Sequence, residues 1–271
     1  MTGESVPPPR TVLVLRFSAL GDIILTSPAI HALKTAWPDT RVVYVTKQVF
    51  AHLVHNNPQV ERVVTVQKEK RFGELLAELR ALEPDAVLDL HGKLRSRILR
   101  NAVGASRSVV WTKRRWQDTL PVKLQLRPYR AEMLLSDRFH HAVEELVGRP
   151  LPRGELRYFL GAQDQASADQ VLAEAGVKPN VPLVGMSPGA NWQTKRWPAE
   201  HFRGLARRVV EHGAQVILTG SAAEADVGAV VAQADSQTAV PTRVHRRKFI
   251  QVFPCIRAAP WRPSCAQRLG R

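Results

Sequence analysis

Apolar runs along the first half of the chain alternate with segments whose apolar residues recur at helical spacing. Runs rich in valine, isoleucine and leucine predict strands at residues 11–17, 41–46, 62–66, 86–90 and 108–111. Two sets of apolar residues three or four positions apart predict helices between them: Ala29, Ile30, Leu33 and Ala36, and Leu75, Leu76, Leu79 and Leu82. Continuous apolar strands separated by helices are typical of a parallel sheet covered on both faces, so we predict a doubly wound α/β fold.

The alternation restarts in the second half of the chain after a segment rich in glycine and proline. A helical stretch from about residue 129 to 147 leads into this segment, which we interpret as a linker near residues 148–180. Beyond it, strands are predicted at residues 183–187 and 215–219, and helices at residues 199–211 and 222–234. We expect two Rossmann-like domains, residues 1–160 and an incomplete one at 177–235, with a ligand in the cleft between them at the carboxyl ends of the strands.

Residues 236–271 form an atypical basic tail. The tail contains eight basic residues, no acidic residue, four prolines and both cysteines of the chain. Within it, only residues 248–253 resemble a short strand.

Net charge is the feature of the composition that departs from the average for globular proteins. Hydrophobic residues make up 44% and charged residues 23%, which is ordinary, whereas 39 Lys and Arg against 24 Asp and Glu leave a net charge of +15. The excess lies in the tail and in residues 93–130, which hold eleven basic residues and one acidic residue, Asp118. A segment of this kind favours an anionic partner, and a basic protein that binds nucleic acid or an anionic surface without catalysis stays an alternative.

Cysteine usage and hydropathy indicate a cytoplasmic protein. A chain of this size with two cysteines, both in the tail, is neither a disulfide scaffold nor a zinc protein. Glu4 lies where a signal peptide would carry its positively charged leader, and Arg16 and Asp22 interrupt the apolar core that such a peptide needs. No stretch is apolar enough for a membrane helix.

Candidate chemistry begins where the first strand ends. Ser18 and Gly21 form a turn of small residues, and Asp22 follows at the start of a helix. Asp22 either takes part in chemistry or only caps the helix, and the local pattern favours capping. The G-x-G-x-x-G fingerprint is absent, which argues against a nicotinamide dehydrogenase.

A second polar cluster follows the fourth strand. Asp89, His91, Gly92, Lys93 and Arg95 place polar and basic side chains at the carboxyl end of that strand. A histidine taken alone is more often structural than a ligand. The run of basic residues that continues to residue 115 indicates an anion site at this position.

Two further segments in the second half contain candidate ligands. Residues 186–198 run from a strand end through a polar loop containing Lys195 to a proline at a helix start, and such a loop can present backbone N–H groups and an ammonium to phosphate. An ordinary turn with an exposed lysine explains this segment equally well. Residues 218–224 offer a glycine turn at Gly220 and a carboxylate, Glu224, suited to ribose hydroxyls.

Taken in order, these segments resemble the bacterial heptosyltransferases, glycosyltransferase family nine. The matching stretches are residues 18–23, 28–30, 89–92, 95–96, 188–190, 195–198, 220–221 and 224. The resemblance implies a GT-B architecture, two Rossmann-like domains with the acceptor on the first and the nucleotide sugar on the second. It also implies inverting transfer of heptose, with no metal and no cofactor, from ADP-heptose to a Kdo or heptose hydroxyl of the lipopolysaccharide inner core.

The resemblance assigns roles to individual residues. Asp22 is the expected general base, and Lys195 is expected to offset the charge of the departing diphosphate. The expected donor-binding residues are Ser187, Gly189, Asn191, Thr194, Lys195, Gly220 and Glu224. The expected acceptor-binding residues are Ser18, Gly21, His91, Gly92, Lys93 and Arg95. The implied partners are an ADP-sugar and an anionic lipopolysaccharide precursor, Kdo-lipid A or its heptosyl form, at the cytoplasmic face of the inner membrane, with no specific nucleic acid.

The chain departs from the family pattern after residue 235. The family continues with an Asp-Ser-Gly-Pro-x-His type loop that holds the diphosphate, and here the basic tail stands in its place. We interpret this as a reading frame truncated or shifted near residues 236–245, and expect a donor domain that lacks part of its phosphate site, so that an inactive product is one expectation.

Overall fold

The structure is a computed structural model that describes residues 7–67, 71–111, 133–190 and 192–221, and the backbone of residues 243–245 and 248–253. The chain divides into two compact units, Met1–Gly161 and Ala162–Arg271.

A five-stranded parallel sheet forms the centre of the first unit. Its strands are β1 (Thr11–Leu15), β2 (Arg41–Lys47), β3 (Arg62–Val66), β4 (Ala86–Asp89) and β5 (Arg107–Val110), in the order β3-β2-β1-β4-β5. Every pairing is parallel, which confirms the sheet predicted from the apolar runs. The strand order reverses beside β1, so the carboxyl ends of β1 and β4 lie next to each other at the switch point where doubly wound sheets bind ligands.

Helices cover both faces of this sheet. They are α1 (Leu20–Ile24), α2 (Ser27–Ala36), α3 (Phe72–Arg80), α4 (Leu94–Val103) and α5 (Leu135–Val147), and Gln48–Leu53 forms a 3₁₀ turn. Val12 and Val14 pack with residues of α2 and α5 on one face, whereas Leu13 and Leu15 pack with α3 and α4 on the other. Burying one such side chain fully stabilises the fold by roughly 1.5–3 kcal/mol, and alternate residues of β1 do so on opposite sides.

The second unit contains a four-stranded mixed sheet. Its elements are α6 (Ala162–Glu174), β6 (Leu183–Met186), α7 (Ala199–Glu211), β7 (Gln215–Ser221), β8 (Arg243–His245) and β9 (Lys248–Phe253), with a 3₁₀ turn at Gln193–Lys195. The order is β6-β7-β9-β8. β6 and β7 are parallel, and α7 packs Ala206 against them with Met186, Val216 and Leu218.

The tail strand predicted at residues 248–253 is confirmed, and it lies in the sheet of the second unit. β9 pairs antiparallel with both β7 and β8. Only two residues separate β8 from β9, and a connection this short forces these two strands to be antiparallel because a parallel crossover needs a dozen residues or more.

A helix within the predicted linker was missed by the sequence analysis. α6 spans Ala162–Glu174, inside residues 148–180, and none of its residues is buried. Its alanine, glutamine and glutamate favour a helix by intrinsic propensity, but without a core-facing stripe they produce no apolar periodicity. The helix predicted at residues 222–234 lies outside the described residues. Among the helices that the structure describes, none is both long and apolar enough to cross a membrane.

Candidate functional site

Arg16, the first residue after β1, is a buried cation at the carboxyl edge of the five-stranded sheet. Its residue exposure is 6%. Nη1 donates to the backbone carbonyl of Leu90, which follows β4, at 2.5 Å, and Nη2 forms an ion pair with Oδ2 of Asp22. The backbone N–H of Arg16 donates to the carbonyl of Val45 in β2 at 3.0 Å. Arg16 therefore ties the ends of three neighbouring strands to α1.

Two aromatic rings complete the surroundings of the Arg16 guanidinium. Its Cζ lies 5.3 Å from the centroid of Phe139 in α5 and 5.9 Å from that of Trp111, which follows β5. These rings pack edge to face, with centroids 5.5 Å apart. The negative faces of aromatic rings attract a cation, so the rings compensate part of the charge that burial removes from water.

Asp22 makes the capping contact that the sequence favoured and also pairs with a buried cation, while its part in chemistry stays a prediction. Its Oδ2 accepts the N–H of Ala19 at 3.3 Å, which is a capping contact at the start of α1. The same carboxylate pairs with Arg16, and 35% of its side chain stays exposed. Asp22 is thus held by a buried cation while solvent still reaches it, which suits a group that exchanges a proton with a bound molecule.

The turn between β4 and α4 is built around Asp89. This carboxylate is fully buried, and its Oδ1 accepts the backbone N–H groups of His91 and Gly92, both at 2.9 Å. Gly92 has a φ of +61°, and a Cβ at this position would stand 3.0 Å from the carbonyl oxygen of Trp111. Glycine is therefore required both by the backbone conformation and by the close approach of the Trp111 backbone.

His91 lies on the inner side of this turn. It is 8% exposed, and its ring centroid is 4.8 Å from that of Phe17. Burial lowers the pKa of His91 from 6.5 to about 4, and the positive charges of Arg16, Lys93 and Lys47 act in the same direction while Asp22 opposes them. The imidazole is neutral at pH 7, and its Nδ1 is buried without a hydrogen-bond partner among the described residues.

The other expected acceptor residues of the first unit surround this edge of the sheet. Ser18 is half-buried, whereas Gly21, Lys93 and Arg95 are exposed. Lys93 precedes the first residue of α4, where its backbone N–H donates to Oγ of Ser96 at 3.1 Å. Both segments singled out in the sequence, residues 16–24 and 89–97, thus begin at adjacent strand ends, and their roles stay predictions.

The expected donor residues that the structure describes in the second unit lie at the ends of β6 and β7 and in the 3₁₀ turn before α7. Oγ of Ser187, which follows β6, is 2.8 Å from Oγ1 of Thr219 in β7. Gly189 is half-buried, and Thr194 and Lys195 are exposed in the 3₁₀ turn. Asn191 and Glu224 lie outside the described residues.

The loop that carries Lys195 has internal support. Nε of Arg196 donates to the carbonyl of Ala190 at 2.6 Å, and the N–H of Lys195 donates to the carbonyl of Trp192 at 2.9 Å. Trp197 stacks on His201 of α7 at 5.3 Å between centroids. Pro198 stands immediately before α7, as the sequence predicted for a proline at a helix start.

The glycine turn predicted at Gly220 is wrong. β7 continues through Gly220 to Ser221, and Gly220 pairs with Phe249 of β9. β7 continues past Thr219 because β9 supplies hydrogen-bonding partners for its backbone, and the local sequence does not predict this pairing.

The sequence placed Asp89 in the polar cluster at the end of β4 without giving it a role, and it did not identify Arg16, Trp111 and Phe139 as residues that support the site. The sequence could have identified Arg16, because a charged residue directly after an apolar strand lies near the core, and a charged residue is seldom buried there unless it is paired. Trp111 and Phe139 carried no such signal, because their position beside Arg16 depends on the packing of β5 and α5. Among the described residues, no group of three or more histidine, cysteine, aspartate or glutamate side chains could hold a metal ion.

Comparison with known proteins gives consistent matches. The sequence profile of Glycosyltransferase family 9 (heptosyltransferase) matches residues 72–247, an interval that ends within the basic tail. Lipopolysaccharide heptosyltransferase 1 of Pseudomonas aeruginosa is 28% identical over 262 residues, which cover 91% of this chain and 71% of that protein.

Solved structures give the same result for the fold. The glycosyl transferase family 9 protein of Veillonella parvula has a TM-score of 0.70 at 22% identity, covering 83% of this chain and 66% of its own. The E. coli ADP-heptose lps heptosyltransferase II has a TM-score of 0.64 at 20% identity, covering 84% and 69%. The chain therefore spans about two thirds of the length of these structures. None of these matches favours a nucleic-acid-binding protein.

Proposed function

This chain belongs to glycosyltransferase family 9, the heptosyltransferases, and on that premise we propose that it transfers heptose from ADP-heptose to the inner core of lipopolysaccharide. The observation that carries the proposal is the partly exposed carboxylate of Asp22, held by the buried Arg16 at the carboxyl edge of the parallel sheet. The name of the E. coli structure, an ADP-heptose lps heptosyltransferase, supports the donor and the acceptor.

In the proposed reaction, Asp22 takes the proton of an acceptor hydroxyl. The oxygen of that hydroxyl forms a bond to C1 of the heptose as the bond between C1 and the diphosphate oxygen breaks, and ADP leaves with the electron pair. A single displacement of this kind inverts the configuration at C1. A positioned base contributes about 10²- to 10⁴-fold to such a step.

The donor side of the proposal rests on the second unit. Lys195 supplies a positive charge to the diphosphate as negative charge develops on it, and the Ser187 hydroxyl and the backbone of Gly189 contact the nucleotide sugar. The chemistry needs no metal and no cofactor, because an ammonium can offset the charge of the leaving group.

The acceptor side of the proposal includes a location. The acceptor is an anionic lipid, a Kdo-lipid A or its heptosyl form, and the protein works as a peripheral protein at the cytoplasmic face of the inner membrane. Lys93 and Arg95, both exposed at the start of α4, support binding of its phosphates or carboxylates.

The first test measures ADP release from ADP-heptose with Kdo-lipid A as acceptor. Asp22→Asn keeps the size of the side chain and removes the basic carboxylate, so we expect kcat to fall at least about 100-fold while the Kd for ADP stays within about twofold. Asp39→Asn, an exposed aspartate in the turn before β2, is the matched control and is expected to keep wild-type kcat.

Two results contradict the proposal. One is an Asp22→Asn variant that retains more than about a tenth of the wild-type kcat, since loss of a general base lowers the rate by about 100-fold or more. The other is a wild-type chain that neither binds ADP in calorimetric titration nor releases it from ADP-heptose. Addition of EDTA is expected to leave the wild-type rate unchanged.

A further inference from the structure

α4 presents apolar residues on two opposite sides. Its inner side packs Leu99 and Val103, 1% and 5% exposed, beneath the five-stranded sheet. On the outer side, Leu94 and Ile98 are 65% and 48% exposed. These two residues are four positions apart, so they lie together on one face of the helix. A helix with a single core-facing stripe carries polar residues where α4 carries this second apolar strip.

Two arginines flank the outer apolar strip of α4. Arg95 follows Leu94 and Arg97 precedes Ile98, which at 3.6 residues per turn places one arginine on each side of the strip. Both are exposed. Within the part of the chain that the structure describes, neither forms an ion pair, and the sequence has no acidic residue from position 90 to position 117. The two guanidinium groups can therefore meet an external anion.

We propose that the outer face of α4, formed by Leu94, Arg95, Arg97 and Ile98, docks on an anionic lipid bilayer. The two apolar side chains enter the boundary between headgroups and acyl chains, and the arginines donate hydrogen bonds to lipid phosphates. This deepens the proposed function and rests on it, since a lipid-borne acceptor gives the protein a reason to bind a bilayer.

The position of α4 in the fold agrees with this role. α4 begins directly after the turn that holds His91 and Gly92, at the carboxyl end of β4. That strand neighbours β1, after which Asp22 follows. Docking through α4 brings the candidate catalytic edge of the sheet to the surface from which a lipid-anchored sugar is presented.

The chemistry of this face favours a bilayer over other occupants. In a twofold dimer the same patch meets itself, so Arg95 and Arg97 would face the arginines of a second copy. Nucleic acid binds mainly through its phosphates and offers no apolar phase into which Leu94 and Ile98 can both be buried. A bilayer with anionic headgroups offers both an apolar phase and phosphate groups.

Sedimentation with vesicles tests the proposal on the full chain. Vesicles of phosphatidylcholine alone are compared with vesicles containing 30% phosphatidylglycerol, which hold neither donor nor acceptor. We expect affinity to rise with the anionic lipid, Leu94→Ser with Ile98→Ser to lower it about tenfold, and Arg97→Gln to lower it about fivefold. Val49→Ser with Leu160→Ser removes comparably exposed side chains, 65% and 59%, elsewhere in the same unit and is expected to change it less than twofold.

Several outcomes overturn the proposal. The double variant at α4 binds anionic vesicles like wild type, or the control lowers binding equally. Alternatively, the α4 variant loses self-association or duplex DNA binding while vesicle binding persists, which would assign the face to a second copy or to nucleic acid.

A fluorophore gives a second readout, because a variant can fail through misfolding. It is attached to Leu94→Cys, with Cys255 and Cys265 replaced by serine. We expect its emission to shift to the blue on anionic vesicles, and an unchanged spectrum refutes docking.

These readouts separate this inference from the proposed function. Asp22→Asn is expected to bind vesicles like wild type, whereas the α4 variant retains ADP binding. Vesicle binding without transfer activity therefore refutes only the proposed function, and transfer activity without vesicle binding refutes only docking.

Discussion

At the scale of single residues, the buried cation of Arg16 links the core of the first unit to the candidate site. Arg16 takes a guanidinium to 6% exposure, where an uncompensated charge costs several kcal/mol. Its compensation comes from the Leu90 carbonyl, the Asp22 carboxylate and the rings of Trp111 and Phe139. Since these contacts reach the ends of β4 and β5, α1 and α5, the same residue supports the fold and fixes the carboxylate proposed as the base.

Replacing Arg16 by methionine is expected to lower both stability and turnover. Asp22 is partly exposed and can be rehydrated, so we expect a loss of about 2–3 kcal/mol in the free energy of unfolding, below the cost of stranding a fully buried ion. We also expect kcat to fall more than about tenfold with an unchanged Kd for ADP, because Asp22 loses its orientation while the sugar acceptor still binds. Arg16→Lys is expected to restore part of the kcat, since it returns a positive charge to this position. Urea unfolding and ADP-release kinetics measure these effects.

Arg41→Met is the control for this prediction. Arg41 pairs with Glu61 at 2.9 Å, but both side chains are about half exposed. An exposed pair contributes roughly 0–1 kcal/mol, so this variant should unfold close to wild type. Equal losses for the two variants would show that burial of Arg16 has no special energetic role.

The lowered pKa of His91 predicts a pH dependence of stability. Between pH 6.5 and about 4 the unfolded chain binds a proton at this histidine that the folded chain does not bind. The free energy of unfolding therefore falls as the pH falls through this window and recovers as the pH rises. We expect His91 to account for about 2 kcal/mol of the loss between pH 7.5 and pH 5.

Urea unfolding at pH 7.5 and pH 5 measures that contribution. His91→Gln is expected to show a loss smaller by this amount, while His55→Gln, at an exposed histidine, keeps the wild-type difference. If both variants behave like wild type, the histidine is not the source of the pH dependence.

At the scale of elements, the turn from β4 to α4 shapes the candidate site. Asp89 holds the N–H groups of His91 and Gly92, and Gly92 approaches the carbonyl of Trp111. The turn thus joins β4 to the end of β5 through backbone contacts that admit no side chain at position 92.

Gly92→Ala is expected to destabilise the protein by about 1–3 kcal/mol. The added Cβ meets the Trp111 carbonyl at 3.0 Å, and a φ of +61° disfavours alanine. Gly73→Ala in α3 is the matched control, since nothing lies within 4 Å of its Cβ and alanine favours a helix, so no loss is expected. Thermal unfolding of both variants tests this, and a Gly92→Ala protein as stable as wild type would contradict the tight turn.

At the scale of the whole molecule, the two units differ in the cores that the structure describes. The clusters on the two faces of the five-stranded sheet are formed by residues between Val12 and Leu151, all within Met1–Gly161. In the described part of the second unit, the core comprises Met186, Ala206, Val216 and Leu218. The first unit therefore has the apolar burial of an independent domain.

We expect a fragment ending at Gly161 to fold alone with a cooperative thermal transition. Leu13→Ala in this fragment, at a fully buried position, should cost about 2–5 kcal/mol, whereas Leu160→Ala, 59% exposed, should cost almost nothing. Circular dichroism on heating measures all three proteins. A broad transition with strong dye binding would show instead that the fragment cannot form its core alone.

The sequence by itself determined the local elements and the class of fold. Four of the five residues of β1 are apolar, and a strand without a polar face must be covered on both sides, so the parallel sheet followed from the pattern alone. The helix predicted over residues 199–211 coincides with α7. The family also followed from motif order, because four short segments in sequence are specific where each alone is not. α6 escaped detection because an exposed helix lacks the periodicity that burial imposes.

Only the tertiary structure decided which distant groups meet. The guanidinium of Arg16 finds the Leu90 carbonyl 74 residues away, and β9 turns antiparallel onto β7 across Gly220. The local sequence names neither partner, because a side chain or a strand edge selects its partner by the free energy of the assembled fold rather than by its neighbours in sequence. Asp22 illustrates the division: its position at a helix start is written in the sequence, whereas the buried cation that holds its carboxylate exists only once the sheet and helices have packed.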